Sequence, residues 1–266
     1  MSSVHQTRMT IPRTQREFEW QEHASARRRA LDHILYDPPA FDSVVQAAFA
    51  FLCPQRGECV LDLGSGEGKE TARLAKLGAR VVAVDLSYAH LLQARARLVN
   101  LANSRIDFVQ ADALHLPFAQ GTFRLVFGKA ILHHLDLNVA QSEVQRVLSR
   151  QGRAAFAEPL AQSPLFWLTR RVTPQWRSHD ERPLTFAETI LFARAFAHRE
   201  WQYKFLTTPL AYPARVVSER LFRFVYPRLD RLDDWLMGKM SFLRRWAWYG
   251  IVLIGSTEEV KCPKTE

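Results

Sequence analysis

The sequence predicts an α/β fold with a doubly wound, mostly parallel sheet. Five short apolar runs with β propensity lie between residues 59 and 158, and helical patterns or loops separate them. This alternation is typical of parallel sheets whose faces are covered by helices. A glycine-rich turn follows the first run, at Gly64, Gly66 and Gly68, so a ligand is expected at the carboxyl ends of the strands.

Length and charge restrict the class of protein. The 266 residues suit one α/β domain with elaborations, and 47% apolar residues suffice for a sizeable core. The formal net charge of +9 is compatible with an anionic membrane or nucleic acid, or with an ordinary basic enzyme. The arginines are dispersed and no nucleic-acid-binding motif is present, so we expect neither a nucleic acid nor an obligate protein partner.

The termini and cysteines predict a cytoplasmic protein. The N-terminus is polar, with no signal-peptide pattern, and no run approaches 18 apolar residues. Cys53, Cys59 and Cys262 have no metal-ligand spacing and cannot make a disulfide framework, which fits a reducing compartment. His133 and His134 are adjacent, so their side chains point in different directions, and no third ligand is spaced to help them. We therefore expect no metal site.

The glycine-rich turn argues against a P-loop. A P-loop needs four residues between its first glycine and the final Gly-Lys, but Gly64 is too close to Gly68–Lys69, and Glu70 replaces the metal-binding hydroxyl. The dinucleotide fingerprint would place its third glycine at Lys69, which weakens that interpretation without excluding it. The remaining pattern is D-x-G-x-G-x-G, with Asp62 inside the strand.

A second acid is placed to bind an adenosine-containing ligand. Asp85 ends the strand Arg80–Val84, where a carboxylate accepts hydrogen bonds from both ribose hydroxyls. Ser87 is placed to cap the helix Tyr88–Asn100. Since NAD also presents a ribose, Asp85 does not discriminate between the two kinds of cofactor.

Four motifs in order resemble the class I S-adenosylmethionine-dependent methyltransferases, specifically the type 11-like small-molecule branch. The resemblance covers about residues 59–158 and implies a Rossmann-like seven-stranded methyltransferase sheet with one antiparallel strand, plus N-terminal helices and a helical insertion before the last strand. The motifs are the glycine turn, Asp112–Ala113, the turn Gly121–Phe123 and Leu132-His133-His134.

The resemblance implies S-adenosyl-L-methionine as cofactor. It implies that the glycine turn contacts the methionine part, Asp85 the ribose, and Asp112–Ala113 the adenine. Tyr36, His133 and Glu158 are the implied substrate contacts. The full set of expected cofactor-binding residues is Asp62, Gly64, Ser65, Gly66, Asp85, Leu86, Asp112, Ala113 and Lys129.

The chemistry of methyl transfer indicates which side chains would be catalytic. The sulfonium donor is already activated, so alignment and exclusion of water meet much of the barrier. A base is needed only if the acceptor must lose a proton, and His133 or His134, then Glu158, are the candidates. The sequence is equally consistent with a purely structural role for these three residues. The alternatives are an NAD(P)-dependent oxidoreductase and a non-catalytic S-adenosylmethionine-binding interaction domain.

Three regions are expected along the chain: residues 1–40 as a tail and cap helix, 41–160 as the cofactor-binding core, and 161–266 as substrate-side insertions and the last strands. Six of the seven tryptophans follow residue 160, which favours a small, apolar or lipid-like acceptor. The helical segment Ala214–Leu243 is rich in arginine and aromatic residues. Its aromatics either pack onto the core or contact an anionic membrane peripherally.

Overall fold

The computed structural model describes residues 41–101, 105–172 and 182–257, together with Gln15 and Glu19. Apart from these two positions, the predicted N-terminal tail and cap helix, including Tyr36, lie outside the described residues. Seven strands form one sheet: β1 Cys59–Leu63, β2 Arg80–Asp85, β3 Ile106–Gln110, β4 Phe123–Lys129, β5 Leu148–Pro159, β6 His198–Lys204 and β7 Tyr249–Gly255.

Helices cover the sheet and form most of the insertion that separates β6 from β7. Those in the described residues are α1 Asp42–Leu52, α2 Lys69–Lys76, α3 Tyr88–Arg97, α4 Leu137–Val147, α5 Pro164–Val172, α6 Phe186–Ala193, α7 Tyr212–Val217 and α8 Glu219–Lys239. Short 3-10 turns occupy Val99–Leu101, Leu132–His134, Thr208–Ala211 and Ser241–Trp246.

The strand order is β3-β2-β1-β4-β5-β7-β6. The first five strands pair in parallel, and β7 lies antiparallel between β5 and β6. The predicted doubly wound, seven-stranded sheet with one antiparallel strand is therefore confirmed. The direction in which successive strands are added to the sheet reverses between β1 and β4. The connections that follow these two strands therefore leave on opposite sides and open a crevice for a ligand at the carboxyl ends.

The central strands are apolar on both faces because helices cover both. Val60 belongs to a core cluster that includes α1, whereas Leu61 and Leu63 belong to the cluster on the other face. All three side chains are fully buried. This alternation follows from the period of two along a strand.

The predicted helix boundaries agree best where a local signal marks them. Gly78 adopts a φ of +85° just beyond α2, as expected for a residue that ends a helix. The Ser87 hydroxyl accepts a hydrogen bond from the His90 backbone N–H and caps α3 as predicted. α3 ends at Arg97 rather than Asn100, because the chain tightens into a 3-10 turn.

The helical patterns predict one helix over Val139–Ser149 and another from a Thr185 cap to about His198, and both ends are wrong because strand pairing overrides local preference. Leu148 begins β5, where it pairs with Phe123, although the helical pattern extends to Ser149. α6 ends at Ala193 rather than near His198, because His198 begins β6 and pairs with Gly255 of β7. Both differences depend on residues far away in the chain.

The insertion is anchored at the carboxyl edge of the sheet. Tyr212 stacks on Phe222 and meets Trp248 edge to face, with ring centroids 6.3 and 6.2 Å apart. The buried Asp233 carboxylate accepts hydrogen bonds from the backbone and hydroxyls of Thr207 and Thr208. These contacts hold α8 against the chain segment that follows β6.

Cys53 is disulfide-bonded, whereas Cys59 is a free thiol. The disulfide at Cys53 differs from the reduced state that the sequence indicates.

Within the described ranges no helix is both long and apolar enough to cross a membrane.

Candidate functional site

A cavity of about 410 Å³ lies at the carboxyl ends of β1, β2, β3 and β4. The turn after each of these strands contributes to its wall, as expected for a doubly wound sheet. The predicted site residues that line it are Gly64, Gly66, Asp85, Leu86, Asp112, Ala113 and His134.

The glycine turn presents bare backbone to the cavity. Gly64 and Gly66 adopt φ angles of +70° and +52°, a region that disfavours other residues. A Cβ on Gly64 would lie 2.8 Å from the Ile131 side chain, whereas a Cβ on Gly66 would meet no atom within 4 Å. The backbone N–H groups of Gly64 and Ser65 both donate to the Val84 carbonyl, so the turn is fixed against β2.

Asp85 joins the glycine turn to the start of α3. Its carboxylate accepts hydrogen bonds from the Gly66 N–H at 2.8 Å and the Ser87 N–H at 2.9 Å. His90 Nδ1 lies 3.5 Å from the same carboxylate. A carboxylate has about four acceptor sites, so Asp85 retains acceptor capacity toward the cavity that it lines.

Asp112 and Ala113 form the wall after β3. The Asp112 carboxylate accepts a hydrogen bond from the Leu114 N–H at 2.9 Å, which stabilises a tight turn. Ala113 is buried, and its short side chain leaves room at the cavity wall. This arrangement matches the acid followed by a small residue that the sequence motif predicts.

Three predicted cofactor-binding residues lie outside the lining of this cavity. Asp62 is buried beneath the turn, where the Thr71 hydroxyl donates to its carboxylate at 2.5 Å. Lys129 Nζ lies 2.6 Å from a carboxylate oxygen of Glu70. Ser65 is also buried. The Asp62 and Lys129 contacts support the turn and β4, and a role of these three residues in binding the cofactor stays a prediction.

The buried position of Asp62 predicts a pH-dependent stability. Burial raises the pKa of its carboxyl from 3.8 to about 7, while the Thr71 hydrogen bond lowers it. Because the native pKa is above the unfolded one, ionisation of Asp62 destabilises the fold increasingly as the pH rises from 3.8 to about 7. The full penalty is present above that range.

Asp62→Asn removes this penalty, since the amide oxygen still accepts the Thr71 hydroxyl. We expect the variant to be more stable than the wild type at pH 8 by on the order of 3 kcal/mol. The difference should shrink as the pH is lowered to 5, and urea denaturation of both proteins measures it. A difference that is the same at pH 8 and pH 5 contradicts this role of Asp62.

Glu158 organises the turn that follows β4. One carboxylate oxygen accepts the backbone N–H groups of Ile131 and Leu132, each at 2.9 Å, and the other lies 2.7 Å from His133 Nδ1. Glu158 is fully buried and His133 is 5% exposed. Neither lines this cavity, and their contacts position the turn that does. The predicted roles of Glu158 and His133 as base or substrate contact stay predictions.

His134 is the histidine of the pair that lines the cavity. Its ring centroid is 4.2 Å from that of His133, which in turn contacts Glu158. The buried Glu158–His133 pair therefore lies behind His134. This position distinguishes His134 from His133, between which the sequence left the role of base open.

Sequence reasoning missed several lining residues. Ala130 follows β4 directly and adopts a φ of +54°, which is unusual for a residue other than glycine. Asp136 caps α4 by accepting the Asn138 and Val139 N–H groups. A cap residue and a residue just beyond a strand are local signals that identify both positions. The missed lining residues are Val84, His90, Ala111, Leu114, Ala130, Ile131, Leu135 and Asp136.

Comparison with known proteins agrees with this geometry. Residues 61–156 match the family model of the methyltransferase domain. A demethylmenaquinone methyltransferase from Thermobifida fusca is 37% identical over 116 residues, which cover 42% of this chain and 48% of that protein. The chain thus matches about half the length of this curated relative. Over residues 61–156 the chain is therefore similar to methyltransferase domains.

Two solved structures share the fold over most of the chain. Haemonchus contortus phosphoethanolamine N-methyltransferase 2, in complex with phosphomonomethylethanolamine and S-adenosylhomocysteine, has a TM-score of 0.64 at 17% identity, covering 94% of this chain and 61% of that one. Geranyl diphosphate C-methyltransferase from Streptomyces coelicolor has a TM-score of 0.62 at 15% identity, covering 93% and 99%. At these identities the likeness describes the fold alone.

Proposed function

We propose that this chain transfers a methyl group from S-adenosylmethionine to a small, apolar acceptor. The observation that carries the proposal is the convergence on one cavity of the bare glycine turn, Asp85 and the Asp112–Ala113 pair. These groups come from three different strands. The glycine turn would contact the amino-acid tail of the cofactor, Asp85 its ribose, and the Asp112–Ala113 pair its adenine.

The residues present fit this cofactor. The open space beside Gly66 admits a ligand against the backbone, and Asp85 keeps acceptor sites for ribose hydroxyls. The cavity of about 410 Å³ is of the size usual for small-molecule sites, and Val84, Leu86 and Ile131 supply apolar walls. When bound, the cofactor supplies a methyl group activated by a sulfonium.

The chain's own contribution is mainly alignment. The glycine turn is fixed through the Val84 carbonyl and the Asp85 carboxylate, so its backbone loses little conformational freedom when the cofactor binds. His134 lies on the cavity wall and is the residue placed to accept a proton, if the acceptor loses one. Glu158 and His133 position the same turn from behind.

The acceptor class is inferred from the insertion and the compared proteins. Aromatic residues of the insertion pack at the carboxyl edge of the sheet, on the side where the cavity opens. The demethylmenaquinone and geranyl diphosphate methyltransferases are named for lipid-like acceptors. An apolar acceptor is consistent with both observations.

The other two functions have weaker support. An NAD(P)-dependent oxidoreductase would use Asp85 equally well, but Lys69 occupies the third glycine position of its fingerprint. A non-catalytic binding domain shares the cofactor site, so only turnover of a methyl acceptor separates it from an enzyme.

Thermal unfolding with two ligands tests the cofactor assignment. We expect S-adenosylhomocysteine to raise the melting temperature, since a ligand at a hundred times its Kd adds about 2.7 kcal/mol to stability. NADH at the same concentration is expected to leave the melting temperature unchanged. Stabilisation by NADH alone contradicts the proposal and favours the oxidoreductase.

Asp85→Ala should weaken binding of S-adenosylhomocysteine by about 1.5–3 kcal/mol, or roughly 10- to 150-fold, through loss of charge-assisted hydrogen bonds. Isothermal titration calorimetry measures the change. Asp107→Ala is the control, because Asp107 is exposed on β3 in an ion pair with Arg80. Equal affinities of Asp85→Ala and the control contradict a role for Asp85 in binding.

A further inference from the structure

Helix α8 carries apolar residues on two opposite faces. Its inner face is buried against the insertion and core through residues such as Phe222 and Met237. The other face carries an outer stripe, which we define as Leu221, Phe224, Leu232 and Trp235. These side chains are 41%, 57%, 41% and 58% exposed.

The spacing of the outer stripe makes it one continuous surface. Its positions follow one another at intervals of three or four residues once Arg228 is included between Phe224 and Leu232. The Arg228 guanidinium lies over the Phe224 ring, 3.4 Å from its centroid. A cation therefore lies within the exposed apolar stripe rather than beside it.

The charges around the outer stripe are predominantly positive. Residues 212–246 contain eight arginines and lysines against four acids. Asp233 is buried, where it binds Thr207 and Thr208, and Asp234 pairs with Lys204. Arg220, Arg223 and Arg231 are all exposed. The outward face of the helix thus combines aromatic and aliphatic side chains with arginines.

The outer stripe lies on the part of the protein that projects from the carboxyl edge of the sheet. Pro159 of β5 and Lys204 of β6 both pair with Tyr249, so residues 205–248 leave and rejoin the sheet at that edge. The cavity opens at the same edge. Other exposed apolar side chains of the insertions and of the turns flanking α7 and α8 are Trp167, Leu168, Leu210, Val216, Val217 and Phe242.

We propose that the outer stripe of α8 docks on an anionic lipid bilayer. An amphipathic helix with arginines on its polar flank and tryptophan and leucine on its apolar face lies in the plane of such an interface. The arginines bind lipid phosphates, and Trp235 and Phe224 enter the headgroup region. This inference does not depend on the proposed methyl transfer.

Charge complementarity favours lipid over a second copy of the chain. A two-fold contact would place the same patch on both sides, so arginines would face arginines at its centre. An anionic membrane supplies the opposite charge instead. Under this proposal the aromatic residues of the segment Ala214–Leu243 have both roles that the sequence suggests. Those on the inner face of α8 pack on the core, and those of the outer stripe contact lipid.

Vesicle flotation with the whole 266-residue chain tests the proposal. Vesicles of phosphatidylcholine with phosphatidylglycerol are compared with pure phosphatidylcholine at low and moderate salt. We expect the protein to float with the anionic vesicles at low salt and to dissociate as salt is raised. Absence of flotation with anionic vesicles at low salt overturns the proposal, as does equal flotation with both vesicle types.

Two variants locate the contact. Phe224→Ser combined with Trp235→Ser should lower the partition coefficient at least about tenfold. Arg228→Gln combined with Arg231→Gln should lower it about 25-fold, since each arginine near an anionic surface contributes roughly fivefold. Leu92→Ser combined with Val99→Ser is the matched control, because both residues are exposed on or just beyond α3.

The control should float like the wild type, and its melting temperature should match those of the two variants. Wild-type flotation by both stripe variants overturns the proposal. Light scattering that shows a dimer in solution, lost in Phe224→Ser/Trp235→Ser and unaccompanied by vesicle binding, also overturns it and assigns the stripe to a second copy.

Discussion

Valine at position 66 is expected to abolish S-adenosylhomocysteine binding while the sheet stays folded. A Cβ on Gly66 meets no atom within 4 Å, so the branched side chain would occupy the cavity rather than clash with the protein. We expect the Kd to rise at least about a hundredfold, because the ligand and the valine need the same space. Isothermal titration measures the affinity, and thermal unfolding measures the fold.

The φ of +52° at Gly66 complicates the interpretation, since a β-branched residue is strained there by about 1–2 kcal/mol. Gly57→Val is the matched control. Gly57 has a φ of +80°, its Cβ also would meet no atom within 4 Å, and it does not line the cavity. Both variants should lose similar stability, but only Gly66→Val should lose the ligand. Retention of wild-type affinity by Gly66→Val contradicts the placement of the cofactor.

Glu158→Ala should destabilise the protein by about 3–5 kcal/mol, because two buried backbone N–H groups and a buried imidazole each lose a hydrogen-bond partner at roughly 1–3 kcal/mol. The substitution leaves the N–H groups of Ile131 and Leu132 and the imidazole of His133 without their carboxylate partner. The turn also carries Ile131 and His134 into the cavity wall. We therefore expect affinity for S-adenosylhomocysteine to fall together with stability.

Glu158→Gln separates the contribution of the hydrogen bonds to stability from that of the carboxylate charge. The glutamine keeps one oxygen to accept from the Ile131 and Leu132 N–H groups, so it should lose less stability than the alanine variant. Glu143→Ala serves as a control at a carboxylate that also accepts a backbone N–H but is partly exposed. Urea denaturation measures the free energy of unfolding of the three variants and of the wild type. Equal stability of Glu158→Ala and the wild type would show that Glu158 does not organise the turn.

The parts of the fold that the sequence predicts correctly are those with local signals. The apolar runs of β1 and β2, the Ser87 cap and the Gly78 C-terminal signal each depend on a few adjacent residues. The residues after the strand ends could be predicted for the same reason. In a doubly wound sheet, a strand end is also a site position.

The remaining features depend on pairs that are distant in the sequence. The start of β6 at His198 is set by pairing with Gly255. Lys129 is held by Glu70 and His133 by Glu158, and these contacts cannot be read from the motif. Likewise, the sequence does not separate Phe222, which is buried, from Phe224, which is exposed, because only the packing of α8 distinguishes its faces.

Methyl transfer itself tests the central claim most directly. Wild-type protein and Gly66→Val are incubated with S-adenosylmethionine carrying a deuterated methyl group and a panel of prenylated quinols and prenyl diphosphates, and products are identified by mass spectrometry. We expect the wild type to form a deuteromethylated product and S-adenosylhomocysteine in equal amounts, and Gly66→Val to form neither. Product formed equally by both proteins, or cofactor binding by the wild type with no methylated product from any acceptor, would contradict the account.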